Sequence, residues 1–247
     1  MKDDYKVFCC THIDTQCFED PLYTLLHTGA NYDGKNFKNM LSDNTGDNIS
    51  YKKDILDGLV TGLYWIWKNT NYEITGVCSY RGYMSYDGKK PINLNETKEL
   101  FENRQVDFIA AKAEVPMSLY ATTQRYGTEL FANNMHNPFE YLREAVAYVD
   151  PGYLAPFDYV MYKGHILNCR HTFIARRELF NHYCTWIFSV MDKFDRILKE
   201  RHYQIPVYRF YGAIIEIMER VWVINNPINV LELPIIMITK QNTGYKK

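Results

Sequence analysis

The 247-residue chain has no apolar run of the roughly 18 residues that a membrane-crossing helix needs. Its opening stretch, MKDDYKVFCCTH, is acidic where a secretory leader would be basic, and its apolar run is too short for one. These two absences predict a cytoplasmic protein. Net charge is nearly absent, -1 at pH 7 with a pI near 6.7. That argues against a nucleic-acid partner across a broad surface, while leaving room for a local basic pocket. The six cysteines (Cys9, Cys10, Cys17, Cys78, Cys169 and Cys184) show no CxxC spacing, and read as buried thiols rather than disulfides. Internal repeats and low-complexity tracts are missing. So are GxSxG, P-loop, GxGxxG and HExxH patterns, which removes the main support for hydrolase, NTPase and dehydrogenase readings.

What remains is a globular composition, 47% hydrophobic and 23% charged, long enough to bury a substantial core. Length alone fits one large domain or two small ones. Residues 5–10 (YKVFCC) read as a first strand, followed by some forty irregular residues. Ile55, Leu59 and Leu63 then fall on one stripe, with Leu56, Val60, Tyr64 and Trp67 beside it. This predicts one strong helix, capped by Asn48 or Ser50. Residues 73–80 and 106–113 read as buried strands around a short helix in NETKELFEN. Pro138 opens a helix after Asn137, and 150–158 read as a turn-rich connector. The clearest helical period runs over 176–199 and ends by Pro206; a further helix covers about 208–223. A last strand in ELPIIMI precedes a basic tail that reads as mobile. Strands alternating with helices predict an α/β sheet with helices on both faces and a mostly helical second half.

Several stretches are candidates for a site. Residues 42–50 (SDNTGDNIS) crowd small polar groups ahead of an apolar helix. Asp43, Thr45 and Asp47 resemble the start of an EF-hand loop. The pattern then fails, with Asn48 at the sixth place and Asp54 at the twelfth. Two readings stay open: an elaborate helix entry, or a loop that binds hydroxyls, since carboxylates there would repel a phosphate. In GVCSYRGY a buried strand ends at Tyr80, Arg81 and Tyr83, where open α/β sheets bind ligands. Arg81 there is either a fixed cation for a phosphate or a solvent-facing side chain. Cys169, His171, His182 and Cys184 do not have zinc spacing, so no metal site is expected. Glu216 interrupts an apolar helical stretch, either exposed or held in a partly dry place with a raised pKa; Glu219 and Arg220 read as surface charges.

The blocks THIDTQCFEDPLYTLLHTGA, DNTGDNIS, TGLYWIWKN and YEITGVCSYRGY come in the order and spacing of a bacterial family of domains of unknown function, DUF4422. FIARRELFNHYCTWIF and RFYGAIIEIMERVW resemble its C-terminal blocks, so the likeness spans about 5–226. Members are labelled exopolysaccharide or capsular polysaccharide biosynthesis proteins and regarded as glycosyltransferases. The resemblance implies an α/β fold of GT-A type, a Rossmann-like αβα sandwich with a mostly helical C-terminal part. It implies a single domain over 1–247, with a nucleotide-sugar half at about 1–113, an acceptor half at about 114–230, and a strand and tail at 231–247. The donor is a nucleotide-sugar, a UDP-sugar foremost. The acceptor is a glycan or lipid-linked glycan of the cell surface, which brings peripheral contact with the inner membrane face into view. Galactofuranosyl transfer has been linked to some relatives.

Sugar transfer needs the departing diphosphate neutralised and the acceptor hydroxyl deprotonated. GT-A enzymes commonly use a metal held by Asp-x-Asp; the corresponding strand end here, CSYRGY, has no carboxylate. Arg81, helped by Lys68 or His171, is therefore expected to stabilise charge without an obligatory metal, manganese or magnesium being the alternative. Glu216 is the expected general base. Thr11, His12, Gly29 and Ala30 are expected to line the nucleotide site. Asp43, Thr45, Gly46, Asp47 and Asn48 would bind hydroxyls, with Tyr64, Trp65, Tyr80 and Tyr83 nearby. The chain departs from the family pattern at Ser79 and Gly82, at Leu59 in place of an acid, at His171 in place of Asn, and at Ile215 and Ile217 around the retained Glu216. Those departures keep a second class open, a nucleotide-sugar or glycan-binding relative with impaired catalysis. A third reading is a structural subunit of an assembly complex, which binds no nucleotide.

Overall fold

The computed structural model describes residues 4–114, 138–164, 166–204 and 210–238, apart from the side chains of Asp54 and Cys169. In chain order the first half contains β1 (Tyr5–Thr11), β2 (Tyr23–His27), α1 (Ala30–Asp33), β3 (Leu41–Ser42), α2 (Lys53–Leu56), α3 (Gly58–Asn69), β4 (Ile74–Ser79), β5 (Gly82–Met84), α4 (Leu94–Lys98) and β6 (Phe108–Ala111). The second half contains α5 (Pro138–Val149), α6 (Leu154–Tyr159), β7 (Phe173–Arg176), α7 (Arg177–Glu200), α8 (Phe210–Asn225), β8 (Val230–Leu233) and β9 (Ile235–Met237).

The strands form one mixed sheet in the order β3-β2-β1-β4-β7-β6-β8. β1 lies at the heart of its parallel part, with Cys9 opposite Leu25 of β2 and Cys78 of β4. Its near-continuous burial is what a parallel strand covered on both faces requires. β7 then enters antiparallel between β4 and β6, and β8 runs parallel to β6 at the edge. β5 folds back from β4 through a hairpin whose tip is Tyr80 and Arg81, and pairs with β9.

The two faces are covered unequally. Phe8, Val77, Phe173 and Phe108 share one face by register, and the long helices lie against it. Phe8 meets Trp65 of α3, Phe173 meets Tyr183 of α7, and Phe108 meets Trp222 of α8. On the other face Tyr5 donates to Glu102, beside the short α4 with its Asn93–Glu96 capping box, and Tyr23 donates to the Ile92 carbonyl. Helices thus lie on both faces, as the alternation predicts, with the long ones among the described residues on one face and the short α4 on the other.

Other expectations are corrected in detail. The stretch expected to be irregular holds β2, α1 and β3. The single helix expected after Ser50 is broken at Asp57 into α2 and α3, because Asp57 takes φ 78° and ψ 151° and caps α3 itself. The connector at 150–158 is a 3-10 turn followed by α6. The last strand is two strands separated at Pro234. Asn137, Pro206 and the 239–247 tail lie outside the described residues. Cys9, Cys10, Cys17, Cys78 and Cys184 are free thiols, as expected. Among the described residues no helix is long and apolar enough to cross a membrane.

Candidate functional site

α3 runs back along the sheet, so its first turn stands at the carboxyl ends of β1, β2 and β4. Thr28, just past β2, donates its amide to the Thr11 carbonyl at 2.9 Å and abuts Gly58 at the start of α3. Thr11 is buried, with its hydroxyl turned onto the Ile13 carbonyl at 2.9 Å. His12 is exposed and its ring packs edge-on to Tyr80, 5.9 Å away. The Arg81 guanidinium lies 5.2 Å from the Tyr80 ring. Lys53 of α2 lays its stem across Gly29: a Cβ there would sit 1.8 Å from Lys53 Cδ, and φ of 74° already favours glycine. His12 is pushed below its ordinary pKa, first by partial burial and then by Lys53, Arg81 and Lys35. Asp57 acts on His12 as well, and Lys53 itself lies 3.8 Å from Asp33. Lys53 and Lys35 escaped the sequence reading because no motif marks them.

Asp57 occupies a backbone region that is essentially glycine-only, accepts the Leu59 amide at 3.1 Å, and faces α8 at Gly212. Sequence periodicity had no means of finding it. One turn further along α8 stands Glu216, whose pKa is raised to about 7, chiefly by burial. Arg170 and His171 both hold left-handed φ values, 72° and 43°. His171 is fully buried, not surface-lining, and its Nδ1 lies 2.8 Å from Oε2 of the equally buried Glu219. The contact is close without forming a straight hydrogen bond; the other polar atoms of the pair, and the Tyr183 hydroxyl, are buried without a hydrogen-bond partner. Burial lowers the His171 pKa to about 4 and raises that of Glu219, so the pair is neutral. Glu219 is therefore no surface charge. Arg220 is half-buried and holds Glu232 at 2.9 Å.

The 42–50 loop does a different job from the one expected of it. Asp43 is fully buried and accepts from Gly29 N at 2.7 Å, Ala30 N at 3.0 Å and Ser50 Oγ at 2.6 Å. The backbone N–H groups of Gly29 and Ala30, residues expected to line the nucleotide site, thus hold a carboxylate of the chain itself. Asn48 accepts from Asn31 and Ser50. Thr45 accepts the Trp65 indole N–H at 2.9 Å, Asp47 accepts the Tyr64 hydroxyl at 3.1 Å, and Gly46 packs against Asn69. These groups run down the outside of α3. At about 1.5 Å per residue, Lys68 stands roughly 15 Å from the crevice end of the helix. Its ammonium sits 3.4 Å above the Trp67 ring instead. Tyr83 is a core residue, only 1% exposed, stacked edge-on to Tyr23. Thr45, Gly46, Asp47, Tyr64, Trp65, Lys68 and Tyr83 therefore stand apart from the cluster of His12, Tyr80 and Arg81.

A cleft of about 840 Å³ lies beside the β1–β2 connection, lined in part by Asp14, Glu19 and Asp20 and by no cation. It suits an anion poorly, so the strand tips are the better candidate. Among the described residues no group of three or more His, Cys, Asp or Glu is placed to hold a metal. His182 packs beside Trp222, and Cys184 is buried.

Fold and crevice together define an α/β protein with a polar site at the carboxyl ends of a mixed sheet. The chain belongs to the DUF4422 family, a domain of unknown function, whose model matches residues 6–227. Its fold is similar to that of WbbM, a bifunctional glycosyltransferase solved in the apo state, with a TM-score of 0.77 and 18% sequence identity. The similarity covers 96% of this chain and 45% of WbbM, so the chain spans less than half of that protein's length. No protein of curated function shows significant sequence similarity.

Proposed function

We propose that the chain is a glycosyltransferase of GT-A-like architecture, a single domain that moves a sugar from a nucleotide-sugar to a glycan. The observation that carries this reading is the gathering of charge of both signs at the strand tips. Lys53, Arg81 and Asp57 all act on His12, and Asp57 and Glu216 act on His171. A nucleotide-sugar offers partners to both signs: an anionic diphosphate joined to a hydroxyl-rich ring. Cations neutralise the departing diphosphate, and carboxylates accept from hydroxyls. Arg81, on the hairpin tip, stabilises the leaving charge. Glu216, with a pKa of about 7, takes the acceptor's proton near neutral pH. His171, being buried, acts behind this surface and touches no substrate.

A UDP-sugar is the proposed donor, and a cell-surface or lipid-linked glycan the proposed acceptor. The bifunctional glycosyltransferase likeness and the family membership support that class. Charge stabilisation by Arg81 and Lys53 makes the reaction metal-independent in this reading; restoration of lost activity by manganese after EDTA would overturn it.

The test is a thermal-shift screen against uridine, guanosine and cytidine diphosphates and their sugars, followed by assay of donor hydrolysis. A ligand bound only by the native state raises the melting temperature. A shift together with hydrolysis supports a transferase. A shift without turnover favours a binding protein, a reading supported by the apolar Ile215 and Ile217, both buried beside Glu216. No shift with any nucleotide leaves a structural subunit.

A further inference from the structure

β7 begins at the carboxyl ends of its two neighbours: Phe173 lies opposite Val77 of β4 and Ala110 of β6. The turn just before it, Cys169–His171, therefore stands at the same strand tips as the Tyr80–Arg81 hairpin. Arg170 in that turn holds φ 72° and ψ 9°, a left-handed conformation that glycine or asparagine adopts at less cost. The turn is clamped on both sides. The fully buried Asn168 donates its side-chain amide to the Ala111 carbonyl at 2.6 Å, and Thr172 donates its hydroxyl to the Arg170 carbonyl at 3.1 Å. His171 is fully buried beneath. Strained backbone of this kind persists only where surrounding contacts over-determine it. Arg170 itself is exposed. Its guanidinium rests on the Met237 thioether and, among the described residues, forms no ion pair with a carboxylate.

Met237 joins this turn to the hairpin. It pairs with Gly82, and its sulfur lies 3.7 Å from where a Cβ on Gly82 would sit. The next residue, Ile238, donates its amide to the Arg81 carbonyl at 2.8 Å. Two arginines from distant parts of the chain thus border one strand end, and Gly82 contributes no side chain there. Like charges so placed repel, and an anion held by both offsets the repulsion. We infer that Arg170 is a second cation of the diphosphate site, a side chain that holds the departing diphosphate together with Arg81. This rests on the transferase reading and names a further residue of its site. When the bond from the sugar carbon to the diphosphate oxygen breaks, the electron pair stays on that oxygen. A guanidinium fork takes two phosphate oxygens at once, which spreads the new charge over fixed donors. The clamped turn sets the stem of that fork before the donor arrives, so less ordering is lost on binding.

Calorimetric titration with UDP and with inorganic pyrophosphate, on wild type, Arg170→Gly and Arg170→Lys, tests the inference. Glycine suits φ 72°, so Arg170→Gly should fold with a melting temperature no lower than that of wild type. It should nevertheless bind both ligands about 30-fold more weakly. Arg170→Lys keeps the charge without the planar fork and should recover part of the loss. If the glycine variant fails to fold, Arg170→Asn takes its place, since asparagine also tolerates a left-handed backbone. Unchanged affinity for either ligand in a folded variant overturns the inference and leaves the transferase reading intact. If wild type binds pyrophosphate through Arg170 yet hydrolyses no UDP-sugar, the transferase reading fails and the arginine pair stands. Wild type that binds neither ligand overturns both.

Discussion

Asp43 closes both carboxylate oxygens onto the start of α1, accepting from Gly29 N at 2.7 Å and Ala30 N at 3.0 Å. A dry carboxylate with these partners is structural in the strict sense. Replacing it by alanine strands two backbone donors and the Ser50 hydroxyl. Asp43→Ala is expected to cost roughly 3 kcal/mol, and Asp43→Asn about half of that. Urea denaturation measures both. A variant of unchanged stability but weakened nucleotide binding would return Asp43 to the list of ligand groups.

Asp57 is strained in a way that only glycine relieves. At φ 78° and ψ 151°, Asp57→Gly should be more stable than Asp57→Ala by about 2 kcal/mol. Glycine also caps a helix better than alanine. Equal stabilities in guanidinium melts would mean that the backbone relaxes at no cost and the strain is not real.

The buried acids and the buried histidine pull the pH dependence of stability in opposite directions. Glu216 has a folded pKa near 7 against 4.5 for the free side chain, so its contribution is full below 4.5 and lost as pH rises through 7. His171, held near 4 against 6.5, contributes fully above 6.5 and loses its part as pH falls through 4. Between 4.5 and 6.5 these two trends offset each other, while Glu219, also raised by burial, adds a loss of stability as pH rises. Glu216→Gln removes one of them. It should gain on wild type as pH rises, by a few kcal/mol (on the order of 3) above neutrality. Paired denaturation curves at acid and neutral pH decide it.

Arg81 stands exposed on a hairpin tip and supports no core contact. Arg81→Ala should leave stability within about 0.5 kcal/mol while lowering turnover by about 100-fold. Arg81→Lys should recover part of the loss, since the charge survives without the planar fork. Retained turnover in the alanine variant removes Arg81 from charge stabilisation.

Much of the sheet was legible because buried strands advertise themselves. Tyr5–Thr11 and Ile74–Ser79 are apolar almost throughout. The 24-residue α7 was equally plain from its period. β7 was hidden because FIAR is four residues fused to the start of α7, too short to show its own alternation. The long helices gathered on one face because register, which no local window contains, sets side-chain direction. At the candidate site, strand-end logic pointed to Arg81 but not to Lys53 or Asp57, whose places are set by the break between α2 and α3. Glu219 misled because an acid followed by Arg220 reads as a solvated face, whereas α8 is buried nearly all round.

The strand that splits the sheet has a consequence for synthesis. β4 is complete at Ser79, yet its second neighbour, β7, begins only at Phe173. A nascent chain therefore emerges with a hydrophobic edge unmatched while the residues from Ser79 to Phe173 are made, and such edges invite self-association. Fragments ending before Arg176 should collect in inclusion bodies, and closure of that gap should limit the rate of refolding, as non-local pairing generally does.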